Sequence, residues 1–227
     1  QGKLENVLTR MCGEFIDVLG AGRTDAGVHA RGMVANAVFD AADKERGGRE
    51  RTPDEIRDYM NRYLPDDIAV NEVREASERF HARYNAVGKT YQYVCYAGEV
   101  KTIFDRKYVT PLEQMPDVAA MQEAAGYLKG KHDFASFCGT GAQVKSTVRT
   151  LTGIDIWRDG DIVTIQVRGE GFLYNMVRII AGTLIQVGNG QYPPERVKKI
   201  LDACDRSVSG PTAPAHGLTL MGIEFFD

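Results

Sequence analysis

The residues best equipped for chemistry sit together in one turn. Gly20, Gly22 and Gly27 bracket Arg23-Thr24-Asp25, so the backbone there is free to turn sharply and to approach a ligand closely. An aspartate on such a support can act as a nucleophile if it stays ionised, and a neighbouring guanidinium lowers a carboxyl pKa by about 1–3 units. The same residue can equally cap the turn through its own side chain. Spacing alone leaves both readings open.

Two further residues stand out against their surroundings. Tyr91 lies in an alternating run, where periodicity by itself reads as packing within a strand. Arg178 interrupts an otherwise apolar stretch, and a charge there must find a partner or reach water. The histidines His29, His81, His132 and His216 are not grouped at metal-ligand spacing, and they read as structural or ligand-facing. A metal-dependent nuclease built on Asp25 and Asp133 would need a denser gathering of carboxylates or histidines.

The full stretch Gly22-Arg23-Thr24-Asp25-Ala26-Gly27-Val28-His29-Ala30 resembles the catalytic signature of the tRNA pseudouridine synthases of the anticodon arm, the TruA-type family. Further stretches match in the family's order along almost the whole chain. They are Phe80-His81-Ala82-Arg83-Tyr84, Lys89-Thr90-Tyr91-Gln92-Tyr93, His132-Asp133-Phe134-Ala135-Ser136-Phe137, Gly171-Phe172-Leu173-Tyr174-Asn175-Met176-Val177-Arg178 and Thr212-Ala213-Pro214-Ala215-His216-Gly217-Leu218.

The resemblance implies an isomerase that turns uridine into pseudouridine in the anticodon stem-loop of tRNA, with no redox cofactor, ATP or catalytic metal. Asp25 is then the catalytic aspartate that forms a covalent adduct with the nucleoside. Tyr91 matches the active-site tyrosine, able to stack on the extruded uracil and to assist proton transfer. Arg178 becomes the partner of Asp25. Arg23, Arg149, Arg83 and Lys89 fall to RNA contact, and Arg23 is suited to a phosphate or to the gap that a flipped base leaves. Thr24, Gly27, His29 and Leu218 fall to the substrate pocket. Leu218 and the Thr212-Ala213-Pro214 turn either shape the pocket wall or order the final strand behind it. The Phe134/Phe137 pair reads as packed aromatics rather than a base-stacking platform. A non-catalytic RNA-binding protein would keep Arg23, Arg178 and the aromatics but has no use for Asp25 in this setting.

Two departures from the family pattern bear on these expectations. The opening strand and the Tyr-Asp-Gly…Gly-Trp-Gln segment are not present ahead of Gln1, so a preceding strand is expected in the natural protein. Ile179 stands where the family more often has asparagine, which puts the support around Arg178 in question.

Behind these residues the sequence predicts a set of elements to hold them. Leu4, Val7, Leu8 and Met11 keep the spacing of an amphipathic helix. Strands are expected at Glu14 to Gly20 and Met33 to Phe39, with a charged loop from Ala41 to Arg51. Thr52 and Glu55 form a capping-box pattern around Pro53, opening a helix whose apolar face is Ile56, Tyr59, Met60 and Tyr63. Strands follow at Ile68 to Ala76 and at Thr90 to Ala97, the latter turning Tyr91, Tyr93 and Cys95 to one face. A helix is expected from Pro116 to Lys129, stopped by Gly130. Thr152 to Trp157 and Ile162 to Arg168 flank the hairpin signal Asp159-Gly160. Helices over Phe172 to Val187 and from Pro194 through Cys204 precede a final strand, Leu218 to Phe226.

The pattern loosens around Gly98 to Pro111, which sets expected halves at 1–104 and 105–227. The fold class is α+β, with helices covering one face of a largely antiparallel sheet. The family resemblance adds that the halves are similar, with the catalytic cleft between them, and that a homodimer reads tRNA by shape and phosphate contacts.

The composition suits an ordinary globular chain of 227 residues. A net charge of −3 excludes a polybasic binder that coats any nucleic acid, but not a local basic surface. Cys12, Cys95, Cys138 and Cys204 lie far apart, which disfavours structural zinc and suits reduced thiols in a cytoplasmic protein. The most apolar segment, Gly171 to Gly188, is broken by Asn175 and Arg178, so no membrane span is expected.

Overall fold

The computed structural model describes residues 1–43, 48–141 and 143–226. In chain order its regular elements are α1 (Gly2–Cys12), β1 (Val18–Gly20), β2 (His29–Ala30), β3 (Ala35–Ala37), β4 (Ala42–Asp43), β5 (Arg49–Glu50) and α2 (Pro53–Tyr63). They continue with β6 (Ala86–Tyr96), β7 (Thr110–Pro111), α3 (Val118–Gly126), β8 (Gly130–Asp133), β9 (Val148–Asp159), β10 (Ile162–Gly169), α4 (Met176–Gly188), α5 (Arg196–Ala203) and β11 (Leu218–Phe225).

Contacts group the chain into two compact units, Gln1–Gly22 with Val34–Asn85, and Arg23–Met33 with Ala86–Asp227. This division differs from 1–104 and 105–227 in two ways. It assigns β6 to the second unit, where that strand pairs with β10 and β11, and it sends residues 23–33 there with β2.

In the first unit, α1 and α2 form by the patterns that announce them. Val7, Leu8 and Met11 of α1 are buried with Ile56 and Met60 of α2 around Ile16, Val18 and Leu64. The capping box is complete, with Thr52 Oγ1 accepting the Glu55 N–H and Glu55 accepting the Thr52 N–H. The strands are shorter than expected: β1 and β3 pair antiparallel over three residues each. The loop expected over 41–51 contains the small antiparallel pair β4–β5, and its residues 44–47 lie outside the described ones.

The strand expected at Ile68 to Ala76 does not form. Ile68, Val70 and Val73 do pack against the core of this unit. However, Val70 exchanges its backbone hydrogen bonds with the amide side chain of Asn61, donating to Oδ1 at 2.7 Å and accepting from Nδ2 at 2.8 Å. Here a side chain takes the place of a neighbouring strand.

The second unit is built on one seven-stranded sheet ordered β2-β11-β6-β10-β9-β8, with β7 beside β6. The pairs from β11 to β8 are antiparallel, while β2 and β7 add parallel edges. The hairpin signal at Asp159-Gly160 is where β9 turns into β10, and both neighbouring strands run longer than or close to expectation. Helices α3, α4 and α5 bury Met121, Ile180, Leu184, Val197 and Ile200, with Leu128 just after α3, against Tyr93, Val163, Ile165 and Val167 of the sheet. Every one of those side chains is fully removed from water, so this core is closely packed. The observed architecture is thus α+β with a mostly antiparallel sheet.

Two expectations in this unit need correction. The helix expected from Phe172 starts only at Met176. Tyr174 gives its carbonyl to the Gly139 N–H at 2.8 Å, and Asn175 adopts a left-handed φ of 58°, so residues 172–175 form a turn rather than a helical entry. Gly130 was expected only to stop a helix; it also opens β8, an edge strand along β9. Among the described residues no helix is long and apolar enough to cross a membrane.

Candidate active site

Arg178 is the third residue of α4, a helix whose other residues are almost all apolar. A cation in a first turn is opposed by the helix dipole, and its burial requires acceptors. The structure supplies them at close range. Nε donates to the Ala213 carbonyl at 2.8 Å, and one terminal nitrogen donates to Asn175 Oδ1 at 2.8 Å. The Ala213 N–H in turn donates to the Arg178 carbonyl at 3.1 Å, so the 211–213 segment runs along the helix like a rail.

Gly182, one turn further along α4, makes that approach possible. A Cβ there would lie 2.0 Å from the Pro211 carbonyl oxygen. Asn175 forgoes the usual capping hydrogen bond and points its amide oxygen at Arg178 instead. Ile179 is fully buried in the core and takes no part in this support, so the departure from the family pattern leaves Arg178 held by other groups.

Asp25 arrives on the opposite kind of support. The Val28 N–H donates to the Asp25 carbonyl at 3.0 Å, closing a tight turn in which Gly27 takes φ +83°. A side chain at Gly27 would be strained by that φ, and its Cβ would press to 3.3 Å on Ala215 Cβ. Immediately after the turn, β2 pairs with β11, His29 opposite Thr219, and the Arg31 N–H donates to Leu220 at 2.8 Å. The turn is thereby hung from the last strand of the sheet.

The carboxylate Oδ2 stands 3.7 Å from the Arg178 terminal nitrogen. That distance is an ion pair and too long for a hydrogen bond. The Asp25 side chain keeps 33% exposure against 17% for Arg178. The acid is therefore reachable while its counter-charge is shielded.

Tyr91 lies in the middle of the sheet, opposite Val167 of β10 and Leu220 of β11. Its ring meets Phe172 edge-on at 5.1 Å between centroids. Burial, and then the charge of Asp25, push its hydroxyl above the ordinary tyrosine range. The phenol therefore stays protonated at neutral pH and is available as a donor. Behind it, the Tyr93 hydroxyl joins Thr110 Oγ1 at 2.6 Å and donates to the Pro214 carbonyl at 3.0 Å, bracing the segment that accepts Arg178.

The remaining sequence candidates divide. Arg23 and Thr24 are exposed on the Asp25 turn. Leu218 is buried, opposite Tyr93 on β6. Lys89 shares the face of Tyr91, two residues along the strand. Arg149 donates to the Ser146 and Val148 carbonyls through one terminal nitrogen and lies beside Gly171. His29 turns to the Lys107 carbonyl, 2.7 Å from Nε2, and packs against the Tyr108 ring at 4.7 Å. Arg83 is exposed on the first unit. Phe134 and Phe137 are fully buried as a packed pair, and Ser136 between them ties Ile200, Asp205 and Ser209 together. The Thr212-Ala213-Pro214 turn proves to be the acceptor of Arg178. Among the described residues no three His, Cys, Asp or Glu side chains gather as a metal site.

Sequence reasoning missed Asn175, Phe172 and Gly182 as parts of this arrangement. All except Gly182 lie within a matched motif, but only the fold shows which groups they face.

Comparison with known proteins agrees with the motifs. A family model described as tRNA pseudouridine synthase matches residues 1–85 and 124–225. The protein named tRNA pseudouridine synthase A of Brevibacillus brevis is 45% identical over 226 residues, covering 99% of this chain and 89% of that protein. Proteins of the same name from Ruminiclostridium cellulolyticum and Acetivibrio thermocellus are 42% and 39% identical, again over 99% of this chain and 89% of each relative.

Proposed function

Because the chain belongs to the tRNA pseudouridine synthase family, we propose that it isomerises uridine to pseudouridine in tRNA, in the anticodon stem-loop, with Asp25 as the nucleophile. The observation that carries the reading is the partly exposed Asp25 carboxylate, accepting no hydrogen bond among the described residues and standing 3.7 Å from a shielded Arg178.

The reaction breaks the bond from ribose C1′ to uracil N1 and forms one from C1′ to C5. C5 loses its proton and N1 gains one, so nothing is added overall. Asp25 forms a covalent adduct with the nucleoside and is released when the new bond is complete. Arg178 balances the carboxylate charge without occupying its lone pairs, which leaves them free to attack. Tyr91, braced by Phe172, offers its ring to the extruded uracil, and base stacking of this kind is worth about 1–3 kcal/mol. Its protonated hydroxyl is placed to donate or relay a proton. Extruding the uridine typically costs a few kcal/mol, which stacking on Tyr91 and contact with the exposed Arg23 offset.

Tritium release from tRNA labelled at uridine C5 tests the reading. Release by the wild type and its loss in Asp25→Asn are expected. Carbodiimide mapping of the product should place the new pseudouridine in the anticodon arm. A wild type that binds tRNA and releases no tritium would mean a non-catalytic RNA-binding protein. Affinity for tRNA should fall steeply with added salt despite the net charge of −3, because the cations that meet phosphate are local. The homodimer implied by the family resemblance belongs to the same reading and is checked by sedimentation.

A further inference from the structure

The loop between β6 and β7 has the composition of a nucleic-acid contact and a fixed connection to the Asp25 turn. Its sequence is Gly98-Glu99-Val100-Lys101-Thr102-Ile103-Phe104-Asp105-Arg106-Lys107-Tyr108-Val109. Phe104 is 92% exposed, and Val100, Ile103 and Tyr108 are exposed beside it. Four large apolar side chains held in water over nine residues are unfavourable unless something covers them.

The base of the loop is pinned on both sides. Tyr96 donates its hydroxyl to the Val100 carbonyl at 2.6 Å, and the Ala97 N–H donates to Asp161 at 2.9 Å. The Tyr108 and Val109 N–H groups both donate to the Asp105 carbonyl, at 2.7 and 3.2 Å. Arg106 reaches back to the Ile103 carbonyl. The tip is thus presented on a shaped frame, and ordering it on a ligand costs less than ordering a free chain.

His29 joins this frame to the candidate site. Its Nε2 meets the Lys107 carbonyl at 2.7 Å and its ring packs on Tyr108, while its backbone pairs with β11 four residues after Asp25. The other end of the loop leaves β6, the strand of Tyr91. The two residues best placed for the chemistry therefore each sit on an element that anchors one end of the same exposed loop.

Charge selects the occupant. Lys101, Arg106 and Lys107 are exposed, and among the described residues none is paired with a carboxylate. An apolar peptide would leave those cations uncompensated, and among the described residues the loop's own carboxylates, Glu99 and Asp105, pair with none of them. Exposed aromatic rings interleaved with unpaired cations fit unpaired nucleotides, whose bases stack while their phosphates meet the charges.

We infer that the 98–109 loop, latched to the catalytic turn by His29, is an RNA-contact element that stacks Phe104 on an unpaired base of the tRNA near the target uridine. This rests on the reading of the chain as acting on tRNA. His29 then serves as a positioning residue for the loop.

Binding of a tRNA transcript to the Asp25→Asn protein is measured for Phe104, Phe104→Ala, Phe104→Leu and Phe104→Tyr. KM and kcat are measured for the same substitutions with Asp25 intact. Ala and Leu should each weaken binding at least about fivefold, the lower end of one lost stack, and the loss should fall on KM. Tyr should restore it. Leu binding as well as Phe, or Ala without effect, overturns the inference. So does a shift of Phe104→Ala from dimer to monomer in sedimentation, which would make the loop an interface between copies. If the wild type releases no tritium from uridine, the function reading fails separately, and the binding series still decides the loop.

Discussion

Two short stretches of the second unit bring opposite charges within 3.7 Å of each other, and they are held in opposite ways. Arg178 projects from a buried helix and is fixed by Asn175, by Ala213 and by the close passage of residues 211–213 over Gly182. Asp25 projects from a glycine turn, and among the described residues its carboxylate accepts no hydrogen bond. The difference separates two duties. A nucleophile must reach its target and leave it again, so it gains from a free carboxylate on a fixed backbone. A counter-charge gains from being immobile, because a preorganised charge needs no reorganisation when the reaction begins.

The comparison breaks first, and hardest, at Asp25. Asp25→Asn should reduce tritium release by at least about 10⁴-fold, as loss of a nucleophile typically does. The melting temperature should stay within about 1–2 °C, because the carboxylate meets Arg178 only at 3.7 Å and Arg178 keeps its bonds to Ala213 and Asn175, so the position contributes within about 0.5 kcal/mol. A large loss of stability would show that the turn depends on that charge. On the other side, Arg178→Lys keeps the charge but loses the planar fork that serves Ala213 and Asn175 together. Activity should fall about 10²-fold. Near-normal kcat in the lysine variant would reduce Arg178 to a point charge and remove the argument for its fixed geometry.

Much of the scaffold behind this pair was legible in the sequence, for local reasons. The spacing of Leu4, Val7, Leu8 and Met11, the Thr52/Glu55 box and the Asp159-Gly160 turn each specify an element within a few residues. Failures came where a distant group took over. Asn61 replaces the neighbouring strand expected beside Val70, and the Tyr174 contact with Gly139 delays the start of α4. The same contrast runs through the site. Asp25, Tyr91 and Arg178 stand out by type and motif. Gly182 and Ala213 act across a backbone approach between segments far apart in sequence, Asn175 acts through an amide that gives up its capping bond, and nothing in their local spacing announces either.

Gly182→Ala strikes the rail directly. A Cβ 2.0 Å from the Pro211 carbonyl must displace buried backbone, and overpacking of this kind costs about 1–3 kcal/mol. Thermal unfolding should drop by about 2–4 °C for each kcal/mol lost, and tritium release should fall with it. Unchanged activity in a destabilised variant would mean that residues 211–213 support the fold but not Arg178. Asn175→Gly is the finer cut. Glycine accepts the φ of 58° without strain but removes the acceptor of Arg178, a charge-assisted bond worth roughly 1.5–3 kcal/mol. Activity should fall about tenfold, and the melting temperature should drop by about 2–4 °C for each kcal/mol lost. A fall in stability without a fall in activity would show Asn175 to be a turn residue only.

Alkaline pH should separate the two supports most gently, because the groups it titrates lie behind Arg178. Burial pushes the Cys95 thiol up to about 12 from an ordinary value of 9.0, and it raises the Tyr93 hydroxyl as well. Both residues are fully buried on the face of β6 that packs against α4, and the Tyr93 hydroxyl donates to Pro214 beside the acceptor of Arg178. A thiol whose native pKa is raised keeps its full contribution below about pH 9. Above that the unfolded chain releases the proton and the native one does not, so stability falls until the pH passes about 12. The slope for one such group is about 1.4 kcal/mol per pH unit. Urea unfolding between pH 9 and 12 should therefore show a shallower decline in Cys95→Val than in the wild type. Curves of equal slope would mean that the thiol titrates in the native state, and that the wall behind Arg178 admits water where the packing says it does not.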